Sequence, residues 1–120
     1  MEWEPEIRSI FTAPFAPLTE DGWRWSYLYK EWIYEGYYPW VSSATHGWQW
    51  ASSIDSNGNY WLYDSGMGRW VMHSRALFPN FYVFAEDGTG DGWYSYIGKP
   101  GQYRRFWSYD AQAYVFENEF

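Results

Sequence analysis

The sequence contains no cysteine, little basic charge and no long apolar run. Without cysteine, a disulfide, a thiolate metal site and a thiol nucleophile are excluded. The formal net charge is −7, from 8 Lys and Arg against 15 Asp and Glu, and the one small basic cluster is Arg104-Arg105. Nucleic-acid binding depends on a basic face that displaces counterions, so we expect no nucleic-acid partner. No run of about 18 apolar residues occurs, so we also expect no membrane-spanning segment.

The chain is also poor in Leu, Ile and Val, and aromatic residues replace them. Phe, Trp and Tyr make up 27% of the 120 residues, with 11 Trp and 13 Tyr. A core of ordinary density must then be filled with rings, and buried Trp and Tyr each need a hydrogen-bond partner. A domain this small does not hide all of its rings. We therefore expect exposed rings that mark a binding or assembly surface.

Two kinds of segment recur along the chain. The first reads Trp-x-Tyr, a short link and then further large apolar residues, as in "WSYLYKEWIY", "WLYDSGMGRWVM" and "WSYDAQAYVF", which begin at Trp25, Trp61 and Trp107. The second reads aromatic-Pro and later Gly-Trp, as in "FAPLTEDGWRW", "YPWVSSATHGWQW" and "FPNFYVFAEDGTGDGWYSY". The recurrence indicates an internal repeat of irregular length.

Large residues within these segments fall at positions i and i+2, for example Trp48 with Trp50 and Trp61 with Tyr63. That spacing places side chains on one face of a strand, and the links hold the Gly, Asn, Asp and Pro residues that turns need. We predict an all-β fold, an antiparallel meander of about nine to eleven short hairpin strands. An open sheet, a barrel and a solenoid all remain compatible with this pattern. Residues 1–21 are acidic and carry three Pro, so we predict an N-terminal arm at 1–21 and an aromatic β-repeat domain at 22–120.

The segments "YYPWVSSATHGWQW" and "NYWLYDSGMGRWVMHS" resemble Trp/Tyr-rich repeats found near the C-terminus of secreted or surface proteins of environmental bacteria. That resemblance covers roughly residues 22–117 and implies a repeat style without an established activity. "YWLYDSGMGRW" is also similar to the hairpins of choline-binding cell-wall repeats, which are shorter and more regular. This second resemblance implies a cage of Trp61, Tyr63 and Trp70 that holds an ammonium group by cation–π attraction.

The residues that we select as candidate ligand-binding residues are rings beside polar loops. A flat row of Trp and Tyr complements the apolar faces of pyranose rings, while nearby polar side chains bond the hydroxyls. The candidates are Trp40, Trp48, Trp61, Tyr63, Trp70 and Trp93. They predict a non-catalytic, extracellular or cell-surface module that binds polysaccharide or cell-wall glycan. The alternative is a structural subunit that self-assembles, or docks into a larger complex, through sheet edges and aromatic patches.

Other residue clusters suggest chemistry less strongly. Oxygen ligands alternate in two loops, at Asp55, Asn57 and Asn59 and at Asp87, Thr89 and Asp91, as calcium loops require. Neither loop has the distal bidentate Glu, so we expect ordinary turns and no cofactor.

His46 and His73 lack convergent partners in the sequence. Glu31, Glu35, Asp64 and Asp110 occupy repeat or turn positions, so we predict turn capping by Asp64 and Asp110 and no enzyme activity.

Overall fold

The structure is a computed structural model, and it describes residues 21–85 and 91–120. Ten strands form one antiparallel sheet in which each strand pairs with the next along the chain. The strands are β1 Trp23–Ser26, β2 Glu31–Tyr37, β3 Trp40–Ser43, β4 Gly47–Ile54, β5 Asn59–Asp64, β6 Arg69–Ser74, β7 Asn80–Phe84, β8 Gly92–Gly98, β9 Arg105–Ser108 and β10 Ala113–Phe116, before a 3-10 turn at Glu117–Glu119.

This architecture confirms the predicted all-β antiparallel meander and shows that the sheet is open. In the described part of the chain, β1 and β10 each pair with one strand only. The same part contains no helix long and apolar enough to cross a membrane. The predicted N-terminal arm at residues 1–21 lies outside the described residues, apart from Asp21.

Four aliphatic side chains of the central strands lie on the inner face of the sheet. Ala51, Leu62, Val71 and Val83 are direct cross-strand neighbours on β4 to β7. They are at most 4% exposed. Because side chains alternate between faces along a strand, they share this face with the buried side chains two positions away, Gln49, Tyr60, His73 and Phe81. The residues directly before and after each aliphatic residue, among them Trp50, Tyr63, Trp70 and Phe84, then face outward.

The inner face is covered by the turns of the same sheet. Tyr29, in the turn between β1 and β2, stacks on His46 with ring centroids 4.0 Å apart. The same ring meets His73 of β6 edge-on at 5.4 Å and Phe78 of the next turn at 5.5 Å. Contact between the first turn and the sixth strand requires a strongly curled sheet. The curl encloses a core of buried side chains without a second layer.

Four turns that join an odd-numbered strand to the next strand share one hydrogen-bond pattern. The side chain of the last strand residue accepts a bond of 2.9–3.1 Å from the backbone N–H three residues later. The residue after that donor has a positive φ of 53–69°. The pairs are Ser26 with Tyr29, Ser43 with His46, Asp64 with Met67 and Ser108 with Ala111. Turn capping by Asp64 is therefore confirmed.

The shared turns show which residues of the repeated segments are structurally equivalent. These residues differ from the ones that the repeated Trp-x-Tyr pattern aligns. The capping residue directly follows Trp25 in the first segment and Trp107 in the third, each of which is the first residue of its segment. In the second segment it follows Tyr63, the third residue, so that segment is shifted by two residues relative to the others. The aromatic-Pro segments are equivalent as written: Pro39 and Pro79 both follow cis peptide bonds. The Pro39 carbonyl accepts a hydrogen bond of 2.8 Å from the backbone N–H of Ala51 on β4. The Pro79 carbonyl accepts one of 3.0 Å from the backbone N–H of Tyr96 on β8. The copy predicted near residue 15 lies outside the described residues.

Candidate functional site

A continuous row of aromatic side chains crosses the outer face of the sheet. The cross-strand partners run from Tyr37 on β2 to Phe84 on β7, with one aromatic residue on each of six adjacent strands. This aromatic row consists of Tyr37, Trp40, Trp50, Tyr63, Trp70 and Phe84. Strands lie about 4.8 Å apart, so the row presents one ring per strand in a line perpendicular to the chain direction.

The rings of the aromatic row support one another while remaining open to solvent. Trp40 meets Trp50 edge-to-face at 5.4 Å, and Tyr63 meets Trp70 edge-to-face at 5.5 Å. Such pairs favour fixed ring orientations. Tyr37 is 68% exposed and Trp70 46% exposed. The row is therefore an ordered apolar surface that still contacts water.

A groove opens at the centre of this face. We call it the ring groove; its volume is about 670 Å³, and it is lined by Trp61, Tyr63, Gly68, Arg69, Trp70, Phe84 and Ala85. The Trp61 and Phe84 rings are nearly parallel, with centroids 5.5 Å apart. Arg69 places a planar set of hydrogen-bond donors among these rings. A shallow site of stacked rings with one guanidinium suits a flat, hydroxylated ligand.

The structure brings some of the sequence-selected residues together and separates others. Trp61, Tyr63 and Trp70 share the ring groove, and Trp40 lies further along the aromatic row. Trp48 contacts the row through Tyr37, at 6.1 Å between ring centroids. Trp93 pairs with Tyr82, outside both the row and the ring groove.

Sequence reasoning missed Tyr37, Trp50, Phe84 and Arg69. Trp50 carried a usable signal, because its spacing from Trp48 assigns both rings to one face. The other three depend on the register between strands, since Arg69 and Phe84 reach the site only through cross-strand pairing, and a β-bulge between Tyr34 and Tyr37 sets the position of Tyr37.

The first of the two loops with alternating oxygen ligands, which begins at Asp55, is a hydrogen-bonded turn. Asp55 accepts bonds of 2.9–3.2 Å from the backbone N–H groups of Asn57 and Asn59 and from the side chains of Asn59 and Trp61. The bond to the Asn59 backbone is the leading cause that lowers the pKa of Asp55. In the second loop, Asp87 and Thr89 lie outside the described residues, and Asp91 accepts a bond from the Ala85 N–H. Within the described ranges, no group of three or more His, Cys, Asp or Glu side chains is arranged to hold a metal ion.

A buried polar network crosses the core beneath the aromatic row. Arg104 donates two hydrogen bonds to Asp64, at 2.9 and 2.7 Å, and its Nε lies 3.2 Å from Glu117. Gln49 donates to Asp64 at 2.8 Å and accepts from the Tyr29 hydroxyl at 2.8 Å. Asp64, Arg104 and Gln49 are at most 1% exposed. Asp64 therefore anchors the core in addition to capping its turn, whereas Asp110 is exposed.

The titration of these groups follows from their burial. Burial, followed by the charge of Asp64, raises the pKa of Tyr29. Burial alone would lower the pKa of Arg104, because it disfavours the charged guanidinium. The hydrogen bonds and negative charges of Asp64 and Glu117 outweigh this effect and raise the pKa overall. Burial, together with the positive charge of Arg104, lowers the pKa of His46 well below its ordinary value and that of His73 to about 3. Both imidazoles are thus neutral at physiological pH.

The other carboxylates named in the sequence analysis also have local partners. Glu35 lies 2.7 Å from Arg24, with both side chains at most 4% exposed. Glu31 accepts a hydrogen bond from the Thr45 hydroxyl at 2.8 Å. These contacts make Glu35, Asp64 and Glu31 parts of the framework that positions the outer face.

Comparisons with protein-family models, curated proteins and solved structures found no match to this chain. The resemblances to bacterial Trp/Tyr-rich repeats and to choline-binding repeats stay predictions. Function must therefore be argued from the aromatic row and the ring groove themselves.

Replacing Asp64 by Ala should lower the free energy of unfolding by about 3–5 kcal/mol, because it leaves a buried guanidinium short of its main partner. Asp110→Ala is the matched control: Asp110 also follows a Trp-x-Tyr segment but is exposed, so its loss should stay within about 0.5 kcal/mol. Urea unfolding followed by tryptophan fluorescence measures both. Equal effects of the two changes would contradict the anchoring role of Asp64.

Acidification should destabilise the protein through His73. The unfolded imidazole titrates near 6.5, whereas the native one has a pKa of about 3, so stability is full above about pH 6.5 and falls as the pH drops toward 3. At about pH 5 the expected contribution of His73 to the loss is about 2 kcal/mol. His73→Phe keeps an aromatic ring against Phe81 and should show a smaller loss between neutral pH and pH 5 in urea unfolding. An unchanged pH dependence would show that His73 is not responsible.

Proposed function

We propose that this chain binds a polysaccharide or cell-wall glycan through its aromatic row and does not catalyse a reaction. The observation that carries the proposal is the unbroken line of six aromatic residues on six adjacent strands. A core needs no such line on the face that points away from it. Large exposed apolar surfaces of folded proteins usually mark binding sites.

The dimensions of the row suit a polymeric sugar. One ring per strand recurs at about 4.8 Å, a spacing comparable to the length of a pyranose unit. A linear glycan that lies across the strands meets successive rings with the apolar C–H faces of its sugars. Arg69 in the ring groove and the Tyr37 hydroxyl supply hydrogen bonds to sugar hydroxyls.

The proposal includes a location outside the cell or on its surface, since polymeric glycans of this kind are found there. It requires no metal ion, because ring stacking and hydrogen bonds from protein side chains carry the recognition. The partner is the glycan itself, and a monomer of this chain is sufficient to bind it.

Trp70→Ala should weaken binding to the preferred insoluble glycan by about tenfold, because it removes an exposed ring that belongs to both the row and the ring groove. Cellulose, chitin and peptidoglycan are incubated with the purified protein and pelleted, and the bound fraction is measured at several glycan concentrations. Trp32→Ala is the control, since Trp32 is 51% exposed but lies outside the row, and it should bind like the parent protein.

The same pelleting is repeated in EDTA. Binding that survives EDTA and falls with Trp70→Ala supports the aromatic row. Binding lost in EDTA would assign recognition to a calcium site instead. No pelleting with any of the three polymers would contradict the proposal.

A second candidate function is assembly through the edge of the sheet. The last strand, β10, pairs only with β9 among the described strands, and Tyr114 and Phe116 on it are 52% and 39% exposed. An edge strand with exposed apolar side chains is a template for pairing with another chain.

If assembly is the function, sedimentation velocity should show a mass that rises with protein concentration. Phe116→Lys should then suppress the larger species, because a charge at an edge strand disfavours edge-to-edge pairing. Tyr109→Lys is the control, since Tyr109 is 47% exposed in a turn outside β10. A monomer at all concentrations would exclude self-assembly.

A further inference from the structure

The indole ring of Trp61 lines the ring groove without belonging to the aromatic row. Its cross-strand partner on β6 is Met72, and Met72 in turn pairs with Tyr82 on β7. The Trp61 ring nevertheless stacks on Phe84, a member of the row that lies two residues beyond Tyr82, with 5.5 Å between ring centroids and 25° between ring planes. Trp61 therefore reaches the row by a diagonal contact across β6, and its side chain must hold one particular direction.

The turn between β4 and β5 holds the same indole by its nitrogen. Trp61 Nε1 donates a hydrogen bond of 3.2 Å to Oδ2 of Asp55. Asp55 is ionised at neutral pH, because hydrogen bonds, chiefly that from the Asn59 backbone, lower its pKa. A hydrogen bond to a charged acceptor is stronger than one between neutral groups. A Trp side chain has two χ angles, so stacking on Phe84 and the bond to Asp55 together define the orientation of the ring.

The two carboxylate oxygens of Asp55 have different partners. Oδ1 accepts the backbone N–H groups of Asn57 and Asn59, at 2.9 and 3.0 Å, and thereby closes the turn. Oδ2 accepts two side-chain donors, Nδ2 of Asn59 at 3.1 Å and Nε1 of Trp61 at 3.2 Å. A residue that only closed a turn would need the first pair of bonds alone. The second pair connects the turn to a ring of the ring groove.

We propose that Asp55 is a positioning residue for the ring groove, because its Oδ2 fixes the Trp61 indole in the orientation that a ligand meets. Trp61 then acts by stacking alone, since its N–H is bonded to Asp55 and does not bond a sugar hydroxyl. A ring that is ordered before binding avoids the entropic cost of ordering it on binding. The effect on affinity rests on the proposed glycan binding, whereas the order of the ring is a property of the protein without ligand.

The order of the ring is tested without ligand by NMR of the full chain with ¹⁵N-labelled indoles. Trp61→Phe identifies the Trp61 signal as the one that it removes. In Asp55→Asn, the amide oxygen takes the place of Oδ1, because the backbone donors of the turn are fixed whereas the side-chain donors can rotate. The amide NH₂ then faces the indole N–H, donor against donor. We expect the Trp61 indole signal to shift and its hydrogen exchange to become about tenfold faster.

Asn59→Ala is the matched control, because it removes the other donor to Oδ2 and keeps the bond between Asp55 and Trp61. Its Trp61 signal and exchange rate should equal those of the parent protein. Parent-like exchange in Asp55→Asn, or equally fast exchange in Asn59→Ala, would overturn the proposal. Should Asp55→Asn fail to fold, the parent protein decides. Its Trp61 indole must exchange more slowly than that of Trp32, which is 51% exposed and is identified by Trp32→Phe, and equal rates would overturn the proposal.

Affinity is then measured by pelleting with whichever of cellulose, chitin and peptidoglycan the parent protein binds. Asp55→Asn should weaken binding by about three- to tenfold, and Asn59→Ala should bind like the parent protein. Faster indole exchange in Asp55→Asn with unchanged affinity would overturn the role of Asp55 in binding. If the parent protein pellets with none of the three polymers, the proposed function fails, while the exchange rates still decide whether Asp55 positions the Trp61 ring.

Discussion

The shape of this protein depends on the buried pairing of Asp64 with Arg104. A meander joins only neighbouring strands, so its ladder of hydrogen bonds does not by itself bring distant strands together. Arg104 precedes β9 and reaches the end of β5, four strands away, with both charges at most 1% exposed. Removing two charges from water is costly, and the bonds from Gln49 and the Met67 N–H complete the acceptors of Asp64. The pair therefore fixes the curl that encloses the core.

The curl explains how so few aliphatic residues suffice. Turns such as that of Tyr29 fold onto the inner face, where Ala51, Leu62, Val71 and Val83 lie beside larger buried rings such as Tyr60 and Phe81. On the outer face, Trp and Tyr keep their polar atoms near water. Period-two alternation places these rings outside, and the strand register then aligns six of them into the aromatic row.

Much of the fold was predictable from the sequence, and less of the site. The i and i+2 spacing of Trp48 with Trp50 and of Trp61 with Tyr63 predicted strands, and the Gly, Asn and Asp links predicted turns, because both signals are local. The selection of Trp61, Tyr63 and Trp70 named three rings of one groove. Phe84 and Arg69 were missed because they join the groove only through the cross-strand register of β5 to β7, which no local sequence pattern specifies. The role of Asp64 was only half predicted, because its partner Arg104 lies 40 residues away.

The shared turn has a consequence for how such a chain can vary. In each copy of this turn, the residue whose N–H binds the cap lies three positions after the capping residue. It is Tyr29, His46, Met67 or Ala111, so one backbone pattern accepts four side chains of different size and chemistry. Three of the four are buried inside the curl, while the strand residues that carry the aromatic row lie on the opposite side. Interior and aromatic row are therefore encoded at separate positions of the same hairpin. Each can change while the other stays fixed, and a hairpin added in the same phase extends the surface without redesign of the core.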